Sequence, residues 1–289
     1  MNTVVDAHQH FWTYGTYQTS WMEVPPYAGD PAFQPLRRSF APHDLARELQ
    51  AAGVRYTVAI EAADGLVENE ALLANARGHD WIAGVVGWVP LTRPAEVERA
   101  LDACAGEPAF VGVRHLINVE PDPDWVLRPD VLQGLQVLAA RGLTFDYVGI
   151  LPRHLQHVAE LARRVPDLRI AIDHLGKPPI ASKELEPWSS LLADAARMPN
   201  VFAKVSGLDA GEADYWTAAD IAPYIDRALE VFGPERLMFG SDWPVANLRG
   251  GYSKVWHETT RALAGLSRGE RDRILGGTAI AFYRLPGLC

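Results

Sequence analysis

The first apolar run of the chain, Val4–His10, closes on Asp6-Ala7-His8-Gln9-His10. Side chains alternate along a strand, so His8 and His10 point to one side, with Asp6 one step deeper. A third imidazole, His174, closes the run Ile170-Ala171-Ile172-Asp173-His174, and Gly176 and Lys177 follow in a turn. A carboxylate, Asp242, leaves the apolar stretch Leu237-Met238-Phe239 after Gly240-Ser241. Imidazoles beside a carboxylate move protons near neutral pH or hold a divalent ion. They form a site only if the fold brings these separate segments together.

Eight short apolar runs are candidate strands: Val4–His10, Val54–Ala62, Ile82–Val89, Phe110–Ile117, Leu143–Gly149, Leu168–His174, Val201–Ser206 and Arg236–Asp242. Between them lie helical patterns, among them Pro42–Ala52, Pro94–Ala103, Asp130–Ala140, Arg153–Arg164, Leu185–Arg197 and Ile221–Phe232. Leu155, Val158, Ala159, Leu161 and Ala162 recur at helical spacing. Ala51-Ala52-Gly53, Ala140-Arg141-Gly142 and Phe232-Gly233-Pro234 mark helix ends or turns before the next strand. Strand then helix, repeated eight times, predicts a (β/α)8 TIM barrel occupying residues 1–289 as one domain. A doubly wound sheet would carry a Gly-rich phosphate turn after its first strand; Phe11-Trp12-Thr13-Tyr14 stands there instead. Barrel closure pairs the eighth strand with the first, so Asp242 is expected beside His8 and His10.

Residues 11–41 lack periodicity and are rich in Trp12, Tyr14, Tyr17, Trp21, Pro25, Pro26 and Tyr27. A loop of that length inside a compact domain is usually functional or disordered. Its aromatic content predicts an ordered lid, with Trp12 and Trp21 lining a substrate pocket. The balance of 27 basic against 36 acidic residues, net −9, argues against nucleic-acid or anionic-membrane partners, which need a basic face. No apolar run reaches the roughly 18 residues of a membrane span. No basic-then-apolar leader opens the chain, so a cytoplasmic location is expected. Cys104 and Cys289 make neither a disulfide framework nor a Cys-rich zinc site. Nothing in the pattern sets an oligomeric state.

His-x-His ending strand one, with Gly-Ser-Asp ending strand eight, resembles the amidohydrolase superfamily. Asp6-Ala7-His8-Gln9-His10-Phe11-Trp12, Gly112-Val113-Arg114-His115, Asp173-His174-Leu175-Gly176-Lys177-Pro178 and Gly240-Ser241-Asp242-Trp243-Pro244 narrow the resemblance. They are similar to a branch containing sugar-acid lactonases, of L-fuconolactonase and L-rhamnonolactonase types, and 2-pyrone-4,6-dicarboxylate lactonase. Thr278–Tyr283 is similar to the branch's closing helix. Binuclear members of the superfamily carry a bridging lysine at the end of strand four and a histidine at the end of strand five. Here Arg114-His115 and Asp146-Tyr147 stand in those places, so a two-metal site lacks its bridge. The resemblance implies either no required metal or one divalent ion. Zinc suits His8, His10 and Asp242, with Glu61 or His174 as further ligands.

The implied reaction opens a cyclic ester. It needs an activated water, stabilisation of an oxyanion and a proton for the departing alkoxide. On this reading Asp242 moves the proton, its basicity raised by burial among Phe239 and Trp243. His8, His10 and His174, or a zinc they hold, stabilise the oxyanion. Arg114, His115, Trp12, Trp21, Tyr147, Trp243 and Lys177 are expected around the substrate. His154 and His157 read as solvated helix surface, as do His43, His79 and His257. One well-placed arginine beside many aromatic rings favours a neutral sugar lactone, L-fucono-lactone-like, over a dicarboxylate. A metal-dependent decarboxylase of the same superfamily and a non-catalytic sugar-binding barrel are the alternatives.

Overall fold

The computed structural model describes residues 3–24, 27–208 and 215–288; Pro25, Pro26 and Cys289 lie outside them. Eight parallel strands stand in sequential order: β1 (Val5–Gln9), β2 (Tyr56–Ile60), β3 (Ile82–Gly87), β4 (Phe110–His115), β5 (Thr144–Tyr147), β6 (Arg169–Ile172), β7 (Val201–Val205) and β8 (Leu237–Phe239). A helix follows each: α1 (Pro42–Ala52), α2 (Leu66–Gly78), α3 (Pro94–Ala103), α4 (Pro129–Ala140), α5 (Pro152–Arg164), α6 (Trp188–Ala196), α7 (Ala218–Phe232) and α8 (Gly251–Ala262). This is the (β/α)8 barrel expected from the alternation. Local chemistry explains where elements begin and end. In α1, Pro42 opens the helix and Asp44 Oδ2 accepts the Ala41 N–H at 3.0 Å. Leu45 and Leu49, four apart, bury one face, and Gly53 at φ 70° stops the helix in the left-handed region.

Several strands are shorter than the apolar runs, because the last residues of those runs leave the ladder to build the rim. β8 ends at Phe239, not Asp242. The ring is joined beyond it by backbone bonds: Asp242 N–H donates to His8 O at 2.8 Å, and His10 N–H to Trp243 O at 2.7 Å. Gly240 permits this approach, since a Cβ there would stand 2.6 Å from His8 Cβ.

The placement of Asp6 beneath the histidines is corrected by the structure. The register of β1 on β2 slips between Asp6 and Gln9, and a bulge of this kind re-aims side chains. Val5 and Ala7 pack with Val58, Ile60 and Val86, and with Phe282, Tyr283 and Leu285 of the closing segment. Asp6 instead accepts the N–H groups of His8 at 3.1 Å and Ser241 at 2.9 Å. Burial pushes its carboxyl up to about 6, against the pull of those bonds. Asp6 is thus a clasp between the strand ends that close the barrel.

The described residues of the long loop after β1 include two short helical turns, Tyr17–Glu23 and Pro31–Leu36. Its ends meet in a two-way backbone bridge between Trp12 and Phe40. Buried Glu68 of α2 anchors its middle, accepting from Tyr17 Oη and Gln18 Nε2, each at 2.8 Å, while its other oxygen takes the Ala62 N–H at 3.0 Å. Among the described residues no helix is long and apolar enough to cross a membrane.

Candidate active site

The end of β1 presents two imidazoles side by side, with His8 Nε2 and His10 Nε2 3.1 Å apart. Asp242 Oδ1 lies 3.6 Å from the first and 3.5 Å from the second, and Asp242 Oδ2 lies 3.9 Å from His174 Nε2. Four groups distant in sequence thus meet at one rim, all nearly or fully buried. The turn after β6 that delivers His174 is costly. His174, Leu175 and Lys177 take left-handed backbone angles, φ 54°, 51° and 56°, around Gly176 at 72°. Such angles cost non-glycine residues of order 1 kcal/mol each and concentrate at functional sites. Gly207 completes the fit: a Cβ there would stand 2.5 Å from His174 Nδ1, which pairs with Ser206 Oγ at 2.9 Å.

A second tier of charge lies beneath. Arg114 donates from Nε to Glu61 Oε1 at 2.9 Å, from Nη1 to Asp173 Oδ2 at 3.3 Å and from Nη2 to the Glu61 carbonyl at 2.5 Å. Lys204, fully buried on β7, contacts Asp146 Oδ2, Asp173 Oδ1 at 2.9 Å and His8 Nδ1 at 3.0 Å. Tyr283 Oη donates to Asp146 Oδ2 at 2.7 Å. Burial dominates the ionisation of these groups. It pushes Glu61 up to about 8 in spite of Arg114, and Asp146 up to about 6 in spite of Lys204. It drives His8 well down, helped by Lys204, and brings His174 down to about 3, helped by Lys177, so both rings are neutral at neutral pH. Burial would raise Asp173, but Lys204, His8 and Arg114 outweigh it and hold the carboxyl well below the usual range. Asp242 behaves likewise: His174, His10, His8 and Lys177 together overcome its burial. The expectation that burial would raise Asp242 is therefore reversed. The carboxyl of Asp242 is held below the usual carboxylate range.

Above the rim opens a cavity of about 260 Å³. His10, His174, Asp242, Arg114 and Lys177 contribute polar groups to it, and Trp12, Trp21 and Tyr27 of the lid wall one side. Trp12, Trp21, Arg114 and Lys177 line this cavity. Three expectations are corrected. His115 is one residue past inward-facing Arg114, so alternation turns it away; it stacks on Trp125 at 4.0 Å and bonds Glu120 at 2.7 Å. Tyr147, next to Asp146, is buried against α5 and donates to His154 O at 2.8 Å. Trp243 packs edge-on to Phe11 and Phe40 behind the site. The histidines of α5 are also corrected. His154 is buried, its Nδ1 accepting the Ile150 and Leu151 N–H groups at the helix start, and buried His157 bonds Asp124 at 2.7 Å. His43 and His257 are exposed and His79 half-buried.

The donor set bears on a metal. Two ligand atoms on a tetrahedral zinc stand about 3.3 Å apart. His8 Nε2, His10 Nε2 and Asp242 Oδ1, separated by 3.1–3.6 Å, fit three corners of such a site. Among the described residues Glu61 lies outside the groups of potential ligands, its Oε1 accepting from Arg114. A second group, His8, Asp173 and His174, shares His8 with the first. Lys204 and Asp173 stand beneath these ligands unforeseen. Lys204 had one legible sign, a lysine two residues from Phe202 on the same face of an apolar strand.

A parallel barrel with an His-x-His pair and an aspartate at the joined rim is the arrangement that the resemblance to the amidohydrolase superfamily implies. Residues 5–285 match the amidohydrolase family, to which the chain belongs. It is 34% identical over 285 residues to L-fucono-1,5-lactonase of Burkholderia ambifaria, covering 97% of this chain and 95% of that protein. A shorter match, 26% over 200 residues, joins 60% of the chain to 59% of L-rhamnono-gamma-lactonase from Scheffersomyces stipitis. The crystal structure of an amidohydrolase from Burkholderia multivorans with bound zinc superposes with a TM-score of 0.89 at 33% identity, covering 98% of this chain and all of that one.

Proposed function

We propose that this protein is a lactonase that opens the ring of a neutral sugar-acid lactone, with Asp242 as the proton carrier. The observation carrying the proposal is the buried Asp242 carboxylate, 3.5–3.9 Å from nitrogens of His8, His10 and His174, at a small cavity that Arg114 and Lys177 also line. In the forward step Asp242 accepts a proton from the attacking water. The Lys177 ammonium faces the oxyanion, because three N–H groups of Arg114 are already engaged by Glu61 and Asp173. Neutral His174 supplies an N–H beside Asp242 without competing as an acid. Protonated Asp242 then returns the proton to the ring oxygen as the C–O bond breaks. A zinc bound through His8, His10 and Asp242 would lower the pKa of a water and polarise the carbonyl.

The pocket also supports the choice of substrate. Three N–H groups of Arg114 are engaged by Glu61 and Asp173, and Lys177 is the other Lys or Arg among the described residues lining the cavity, a cation supply that disfavours a dicarboxylate. Aromatic faces of the lid suit the C–H faces of a sugar ring, and the volume suits one ring. The lactonase names of the relatives point the same way, with L-fucono-lactone the first substrate to try. A panel of aldonolactones followed with a pH indicator, before and after chelation and zinc addition, tests the proposal. Acid release from neutral six-carbon lactones is expected. No turnover of any lactone in either metal state, or carbon dioxide release from an aromatic acid instead, would refute it.

A further inference from the structure

Lys204 is a fully buried cation of the site that the proposed chemistry does not use. An ammonium has three N–H donors and no acceptor. Lys204 Nζ hydrogen-bonds Asp146 Oδ2 and His8 Nδ1, the latter at 3.0 Å, and forms an ion pair with Asp173 Oδ1 at 2.9 Å. His8 therefore turns a lone pair toward the lysine at Nδ1 and carries its hydrogen on Nε2. The next link follows by the same logic. His10 Nδ1 lies 3.0 and 3.1 Å from the carbonyl oxygens of Ile60 and Glu61, which only accept, so Nδ1 carries the hydrogen and Nε2 the lone pair. His8 Nε2–H then donates to His10 Nε2 at 3.1 Å. A one-way chain runs from Lys204 through both imidazoles to the β2 backbone.

We infer that Lys204 is a positioning residue that opposes zinc at the His8–His10–Asp242 corner by holding His8 in its Nε2–H tautomer. Zinc needs lone pairs on both Nε2 atoms. In this chain the first bears a hydrogen and the second is occupied by it. To ligate, His8 must move its hydrogen to Nδ1, where Asp173 Oδ1 at 3.3 Å is the acceptor, and Lys204 must give up one of its partners. The ammonium also places a fixed positive charge between His8 and Asp173, two members of the second potential ligand group. The protein thus carries a built-in cation where a further metal would need to approach.

The test reads zinc affinity and histidine tautomer on the metal-stripped full chain. Neither readout needs turnover, so the inference and the lactone reading fail separately. Zinc affinity is measured by competition with a chromophoric chelator in wild type, Lys204→Met and Lys204→Met/Asp146→Asn. The double variant removes the cation together with one carboxylate that its loss would strand. At least tenfold tighter zinc binding is expected in the variants. In metal-free wild type, the ¹⁵N shifts of labelled His8, assigned with His8→Gln, should show the Nε2–H form. Unchanged or weaker zinc affinity in a cooperatively folded variant would overturn the inference. So would the Nδ1–H form of His8 in metal-free wild type, a result that stands even if neither variant folds.

Discussion

Replacing Glu61 by Gln is expected to alter the pH dependence of stability more than stability itself. Glu61 is fully buried; Oε1 accepts from Arg114, and Oε2 has no hydrogen-bond partner among the described residues. Burial lifts its pKa from the ordinary 4.5 to about 8. Between those values the folded protein keeps a proton that the unfolded chain has released. Stability from this group is therefore complete below about pH 4.5 and is lost as pH rises through about 8, at roughly 1.4 kcal/mol per pH unit. From pH 5 to 8 that sets a ceiling of about 4 kcal/mol, which relaxation around the site lowers to about 2–3 kcal/mol. The amide variant lacks this loss and carries instead a constant penalty of about 1–3 kcal/mol for a buried N–H without an acceptor. Asp6 and Asp146, both raised to about 6, titrate in the two proteins alike and cancel in the difference. Urea unfolding at pH 5, 6, 7 and 8 measures it. Wild type should be the more stable at pH 5, with the gap narrowing or reversing by pH 8. Parallel stability curves would refute the assignment of a protonated carboxyl to Glu61.

Three further outcomes are expected. Gly207→Ala sets a Cβ against the His174 ring at a φ of 57°, and should cost about 2 kcal/mol of stability in thermal unfolding while lowering kcat more than tenfold with little change in KM. Trp21→Ala removes a half-buried lid ring that packs on Tyr27 and Phe33; KM should rise about tenfold in steady-state kinetics, with kcat and unfolding temperature kept. Glu68→Ala frees Tyr17, Gln18 and the Ala62 N–H together, so limited proteolysis should cut within residues 11–41 faster than in wild type, with a loss of about 2–3 kcal/mol.

The barrel was legible because its unit is local: a short apolar run, a helix-period stretch and a stop, as at Pro42–Ala52 followed by Gly53. The rim was legible where strand ends carry unusual types, which is why His8, His10, His174, Arg114, Lys177 and Asp242 fall around one cavity or directly beneath it. Parity decided what could not be read. Alternation allows one of Arg114 and His115 to face inward, and one of Asp146 and Tyr147, but the phase is set by neighbouring strands. Arg114 and Asp146 face the buried charges, so His115 and Tyr147 pack away from them. The bulge in β1 defeats alternation altogether, separating Asp6 from the histidines it was expected to underlie. The sign of the Asp242 shift was out of reach for a related reason. It depends on His174, His10, His8 and Lys177, whose approach to Asp242 is a property of the closed ring.

The most direct test of the account is the turnover of Asp242→Asn on the aldonolactone that wild type opens fastest. Asparagine keeps the size of the side chain and removes the charge that takes the proton. A fall in kcat of about a hundred- to ten-thousandfold is predicted, with circular dichroism and unfolding temperature close to wild type. Turnover within a few-fold of wild type would contradict the role of Asp242 as the proton carrier.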